Sequence, residues 1–389
     1  MEEVAIAAQV LSGAAGAREQ RVARAHTIIS NAGHRPSFER RRGRGAGLNT
    51  AGRYETESRS SFDDGWESEA ELAPFQTHVQ AEAAKSILTR NMSPDLPFDR
   101  SVNAYRGCEH GCAYCYARPS HANMGLSPGL DFESELFVKT NAATLLEREI
   151  SKPGYECAPI AMGTNTDPYQ PVERTQRVTR AMLEVLDAAN HPVVITTKSA
   201  LVLRDIDILS SMAERQLVRV HISITSLDHK LSRALEPRAS TPTRRLDAMR
   251  KLAEAGVPVS VGIAPIIPAV NDHEIERIVD CAAAAGADYA TYIMLRLPQE
   301  VAPIFKDWLL RHLPDRYNRV MSHVRTMRDG KENNSNFHER MRANGPYAWQ
   351  IDRRFQLQKK KSGLYGKPAR LSRDLFIKPK GGGVQLALI

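Results

Sequence analysis

Residues 192–225 read PVVITTKSALVLRDIDILSSMAERQLVRVHISIT, and their alternation decides the fold. Residues 192–197 form a short β-branched run, residues 218–225 form another, and the stretch between them has a helical pattern. The same unit recurs outward in both directions. Residues 158–162 end in Gly163 and give an earlier strand; residues 258–263 and 289–295 give later ones. Helical patterns at 178–189, 243–255 and 272–285 lie between them, the last two closed by Gly256 and Gly286. Glycine just past the final turn is a strong stop signal. Strand–helix alternation implies right-handed βαβ units and a parallel sheet. A further strand ahead of residue 105 brings the count to about six units, short of the eight that close a full barrel. The expectation is an α/β fold, a partial (β/α)6 TIM-like barrel over residues 76–300. A flexible basic arm precedes it over residues 1–75, and a helical, basic extension follows over 301–389.

The arm is rich in Ala, Gly, Arg and Ser, and its run Glu39-Arg40-Arg41-Arg42-Gly43-Arg44-Gly45 suits either a nucleic-acid-binding arm or a solvated tail. The chain has 389 residues, 42% hydrophobic, enough for one large core with appendages. Its net charge of +8 is compatible with nucleic acid and equally with plain solubility. Five cysteines, three of them within eight residues, are not the spacing of a secreted disulfide framework. They point to a reducing cytoplasm and a metal site. No apolar run reaches the length of a membrane span. The N-terminus is acidic before it is apolar, which is not the order of a cleaved signal peptide.

Residues 105–118 carry the chemistry: Tyr-Arg-Gly-Cys-Glu-His-Gly-Cys-Ala-Tyr-Cys-Tyr-Ala-Arg. Cys108, Cys112 and Cys115 stand as Cys-x3-Cys-x2-Cys. Soft thiolates suit iron–sulfur clusters and zinc. Three of them on a four-iron cluster leave one iron open for a chelating ligand. Zinc would want a fourth ligand, with His110 or His121 as candidates, but no second knuckle follows. The rival is therefore a non-catalytic nucleic-acid-binding protein with a structural zinc or cluster site. Cys157 and Cys281 read as ordinary small buried residues.

This triplet, placed after a first strand and ahead of βα repeats, resembles the radical S-adenosylmethionine (SAM) superfamily. Gly163-Thr164-Asn165-Thr166-Asp167-Pro168-Tyr169-Gln170-Pro171 and the later Thr197-Lys198-Ser199 resemble its spore photoproduct lyase-like branch. The resemblance implies a 4Fe-4S cluster on the three cysteines, SAM chelated to the open iron, and a 5′-deoxyadenosyl radical acting on a substrate that includes nucleic acid among its candidates. It also implies a flavodoxin or ferredoxin as electron donor, and a site at the carboxyl ends of the strands.

Around the cluster, the polar run Gly163, Thr164, Asn165, Thr166 and Asp167 follows a strand and would face the strand-end cavity; Thr166 or Asp167 could instead cap the next helix. Lys198 would neutralise the SAM carboxylate, and Ser223 would bond its ribose. By the same resemblance Tyr114 and Tyr116 belong to a hydrogen-transfer relay, with packing as the plainer role. The branch's hydrogen-donating cysteine has no counterpart between Gly163 and Asp167, so spore photoproduct reversal itself is not expected. Beyond residue 301, Tyr347 and Trp349 in a basic context would either stack bases or cap the sheet's open end. The terminal Gln385-Leu386-Ala387-Leu388-Ile389, tethered by three glycines, resembles a sliding-clamp docking peptide with Ile389 in place of the usual aromatic.

Overall fold

Six parallel strands in sequence order form the backbone of the molecule. The computed structural model describes residues 42–55 and 75–380. Strands β1 (His78–Glu82) and β2 (Thr89–Arg90) come first, followed by β3 (Arg100–Val102), β4 (Tyr105–Arg106) and β5 (Glu135–Lys139). The repeating strands are β6 (Ile160–Met162), β7 (Val193–Thr197), β8 (Val218–Ser223), β9 (Val259–Ile266) and β10 (Tyr289–Met294). The main sheet runs β10-β9-β8-β7-β6-β3-β2; its pairs are parallel except β2 with β3. A small second sheet orders β1-β5-β4.

The strands are short and β-branched because both faces are covered, which removes the pressure to alternate apolar with polar. Val193, Ile195, Val218, Val220, Val259, Val261 and Ile263 are all buried. Of helices α1 (Ala142–Ile150), α2 (Val178–Ala188), α3 (Ile206–Glu214), α4 (His229–Leu235), α5 (Pro242–Glu254) and α6 (Ile275–Ala284), all but α4 pack against them, and α4 joins the apolar cluster around Cys112. α5 begins where Thr241 accepts from the Arg244 amide and Pro242 takes the first turn. The strand and helix positions read from the sequence hold to within a few residues.

After the sheet come α7 (Val301–His312), α8 (Tyr317–Thr326) and α9 (Pro346–Lys361). These helices are not an appendage. Phe305, Trp308 and Leu309 share one apolar cluster with Cys112, Ala113 and Tyr114. Most of the expected arm, residues 1–41 and 56–74, lies outside the described residues, as does the Gln385–Ile389 peptide. Residues 42–55 are described, and there the reading of an unpacked arm fails: Arg44, Ala46, Leu48, Asn49 and Thr50 are buried. Among the described residues no helix is long and apolar enough to cross a membrane.

Candidate functional site

The cysteine loop leaves β4 and is tied to three sides of the fold. Gly107 and Gly111 turn it through left-handed conformations, with φ +76° and +65°. The Cys108 amide donates to Phe132 O at 2.8 Å, and the Ala113 amide to Leu235 O, at the end of α4, at 3.0 Å. Arg118, fully buried, donates twice to Cys112 O, at 3.0 and 2.8 Å, and pairs with Glu133 at 2.5 Å. Glu133 also accepts the amides of Gly45 and Ala46, at 2.9 and 2.8 Å. Residues 44–50 therefore form a strap behind the loop. A Cβ on Gly45 would stand 1.7 Å from Gly111 O, so only glycine permits the approach.

The loop's third tie is to the carboxyl end of the sheet. Gln170 accepts from the Glu109 amide at 2.8 Å and donates to Gly107 O at 3.2 Å. His110 Nδ1 lies 3.3 Å from Asp167 Oδ2. Cys108 and Cys112 are buried and Cys115 is partly open. Burial pushes the Cys108 thiol well up, with Asp167 and Cys112 adding to it. Burial pushes Cys112 up to about 12, against the pull of Lys198. Such thiols ionise when a metal centre coordinates them, which is what a cluster supplies. Among the described residues no three His, Cys, Asp or Glu side chains converge on one ion. The cysteines of a cubane cluster need not converge, because each takes its own iron. Of the candidate zinc ligands, His110 Nδ1 faces Asp167, and His121 Nε2 bonds Glu135 O at 2.9 Å while its Nδ1 is buried with no hydrogen-bond partner among the described residues.

Gly163 ends β6 at φ +91°, where a Cβ would stand 2.2 Å from Thr196 O on β7. Asn103 Oδ1 then accepts the amides of Asn165 and Thr166, at 2.9 and 3.2 Å, and Asn103 Nδ2 donates to Thr164 at 3.2 Å. Thr166 is buried and donates to Tyr105 O at 3.4 Å. Asp167 caps no helix. It accepts from the Tyr169 amide, the Thr197 hydroxyl and the Lys198 amide, at 2.9, 2.7 and 2.7 Å. Burial pushes its carboxyl up, but His110 and these donors prevail and hold it at about 2.

Lys198 sits with Nζ 5.9 Å above the centre of the Tyr114 ring. Burial works against its charge, yet Cys112 and Glu236 hold its pKa above the ordinary value. Ser223 is buried and donates to Ala264 O at 3.3 Å. Tyr114 is buried, its hydroxyl donating to Glu236 and lying 3.0 Å from Thr225. That geometry gives it an anchoring role. Tyr116 is half-exposed and donates to Thr164 O. The structure thus brings all twelve residues singled out from the sequence to one end of the sheet.

Several partners were not singled out. Glu236 and Arg245, 1% exposed each, form an ion pair under the loop. Arg245 also donates to Ser223 O at 2.9 Å, and Thr225 donates to Glu236 at 2.6 Å. The signal for Glu236 lay only in being a lone acid between two helices. Tyr347 is tucked in, stacked on His323 with its hydroxyl on Asp272, while Trp349 is 65% exposed.

A three-cysteine loop at the carboxyl ends of six parallel strands is the layout of one enzyme class, and comparison with known proteins agrees. The family model of the radical SAM superfamily matches residues 102–282. A protein of Methanocaldococcus jannaschii, itself uncharacterized, is 30% identical over 219 residues, 56% of this chain and 77% of its own length. An uncharacterized protein of Mycobacterium tuberculosis (strain ATCC 25618 / H37Rv) is 36% identical over 226 residues, 58% of this chain. The match spans 66% of that mycobacterial relative. The chain belongs to the radical SAM superfamily. Among solved structures, spore photoproduct lyase complexed with dinucleoside spore photoproduct has a similar fold, with a TM-score of 0.50 and 14% identity. The likeness covers 74% of this chain and 80% of that one.

Proposed function

We propose that Cys108, Cys112 and Cys115 hold a 4Fe-4S cluster on a sheet curved as a partial (β/α)6 barrel, and that the chain acts as a radical SAM enzyme on nucleic acid, in DNA repair or modification. When bound, the cluster and SAM supply a one-electron reductive cleavage whose 5′-deoxyadenosyl radical takes a hydrogen atom from the substrate. The chain's residues position and shield this chemistry. Lys198 supplies positive charge for the SAM carboxylate, and Ser223 stands where β8 can meet the ribose. Asp167, ionised and fully engaged, fixes Lys198 through its backbone amide. The Thr164–Thr166 backbone, pinned by Asn103, forms a polar rim.

One observation carries the reading. Three mostly buried thiols sit in one loop stitched to the strand ends, in the spacing Cys-x3-Cys-x2-Cys. A flavodoxin or ferredoxin would deliver the electron. Docking of Gln385–Ile389 on a sliding clamp would place the enzyme on DNA.

The test is anaerobic purification followed by dithionite reduction with SAM. Brown protein that releases 5′-deoxyadenosine is expected, with colour and product both lost on changing the three cysteines to Ala. Colourless protein holding one zinc would overturn the reading. Lys198→Ala should keep the cluster while SAM affinity falls roughly ten- to a hundred-fold, the loss of one charge-assisted bond.

A further inference from the structure

Three arginines gather where the chain leaves β10. Arg296 stands two residues past the strand, its guanidinium 5.6 Å from the centre of the Tyr116 ring. Tyr116 directly follows Cys115, so this corner adjoins the open side of the cysteine loop. Arg328, just beyond α8, is 2% exposed. Its Nη2 donates to Leu295 O at 2.6 Å, which sets it behind Arg296. The third, Arg340, is fully matched by Asp95, with two bonds of 2.7 and 2.6 Å.

The other two are not matched. Arg296 Nε and Arg328 Nε and Nη1 are buried with no hydrogen-bond partner among the described residues. Arg296 Nη1 reaches only a thioether, Met341 Sδ, at 3.5 Å. Burial, then Arg340, lowers the pKa of Arg296. Burial, then Arg296, lowers that of Arg328 to about 10. Even so, both remain cationic at neutral pH. Adjacent guanidiniums with buried nitrogens left unbonded are costly, and a bound anion is what relieves that cost.

The guanidinium fork matches carboxylate or phosphate oxygens. Two forks of separate origin fit a group with more than two acceptor oxygens, which favours phosphate. The SAM carboxylate is already matched by Lys198 in the proposed reaction. We propose that Arg296 and Arg328 bind a phosphate group of the substrate beside Tyr116, an inference that rests on the cysteine loop being the reaction centre. Arg296, partly open to solvent, meets the group first, and Arg328 backs it. The substrate class is then a phosphodiester-bearing molecule.

The experiment uses the full chain with its cluster reconstituted anaerobically. The first probe is inorganic phosphate, read as a shift of the melting temperature against chloride at equal ionic strength. The second is a pair of ligands, a dinucleotide with its bridging phosphodiester and the same two nucleosides joined without phosphate. Phosphate should raise the melting temperature of the wild type, and Arg296→Gln and Arg328→Gln should each remove that rise. The phosphodiester should bind about ten- to a hundred-fold more tightly than its phosphate-free counterpart, and Arg296→Gln should erase the difference. Should Arg328→Gln fail to fold, the more exposed Arg296→Gln decides the matter. Equal melting in phosphate and chloride, or a preference that survives Arg296→Gln, overturns the proposal. Phosphate binding without preference for the phosphodiester overturns the assignment of a phosphodiester-bearing substrate. Substrate-free SAM cleavage is measured alongside and should persist in both variants. Its absence from the wild type would indict the reaction and not this site.

Discussion

Glu236 shows how much of the site rests on single residues. It holds Arg245, Thr225 and Tyr114 at once, all under the cysteine loop and away from water. Replacing it with Ala would leave Arg245 buried and unmatched, which costs about 3–5 kcal/mol. Denaturant melts of Glu236→Ala should show a loss of that size, and the cluster should be retained poorly because Tyr114 loses its anchor. Glu236→Gln, which keeps hydrogen-bond capacity without the charge, should fall between. A Glu236→Ala variant as stable as wild type would show that Arg245 has another partner. At this scale the sequence singled out the candidate residues and hid their supports. Cysteine spacing, a lysine after a strand and a glycine at a strand end are local signals. Glu236 and Arg118 are ordinary charged residues until the fold buries them.

Among the elements, the strap was the least legible. Arg42-Gly43-Arg44-Gly45 has the composition of a solvated arm, because small and charged residues give no periodicity. What fixes it is distant: Glu133 accepting from Gly45 and Ala46, and Asn49 bonding Asp131 at 2.9 Å and the Leu130 amide at 3.0 Å. A truncation that reaches Gly52 therefore removes a built part of the site. Removal of residues 1–41 should leave iron content unchanged, and removal of residues 1–51 should lose the cluster, as read by absorbance and iron assay. Full cluster loading in the shorter chain would make the strap dispensable.

A second clasp lies at the opposite end of the strands. His191, fully buried, bonds Tyr155 at 2.8 Å and meets the edge of Phe376, whose segment returns to the sheet through Ile377 N to Ala189 O at 2.9 Å. Burial lowers the His191 pKa to about 4; the Pro192 carbonyl opposes this and Arg100 adds to it. The unfolded chain takes up this proton near pH 6.5 and the folded chain only near 4, so stability is complete above the first value and falls towards the second. The loss should be on the order of 3 kcal/mol, and it should shrink in His191→Gln when melts are compared across that window.

For the whole molecule, the decisive feature is that residues beyond β10 complete the core beneath the cysteines. Trp308 is fully buried, donates to Ala234 O at 2.8 Å, and stacks with Phe305. The neighbouring Leu235 carbonyl holds the Ala113 amide of the cysteine loop. Trp308→Ala should cost about 3–5 kcal/mol and also lower cluster occupancy, since the cavity opens behind Cys112. Normal iron content in a stably folded Trp308→Ala protein would show that the C-terminal helices support the fold without supporting the loop.

The sequence by itself determined the α/β class, the number and order of the parallel strands, and the three-cysteine loop proposed to hold the cluster. Each of these follows from short-range pattern: β-branched runs, helical periodicity closed by Gly, and a cysteine spacing within eight residues. Tertiary structure alone decided that residues 44–50 are part of the site, that Tyr114 is an anchor, and that Arg296 and Arg328 each hold buried nitrogens without a hydrogen-bond partner among the described residues. These depend on which distant segments share a buried volume. Burial turns the charge or hydrogen-bonding capacity of a residue into a requirement for a partner, and no local pattern carries that information.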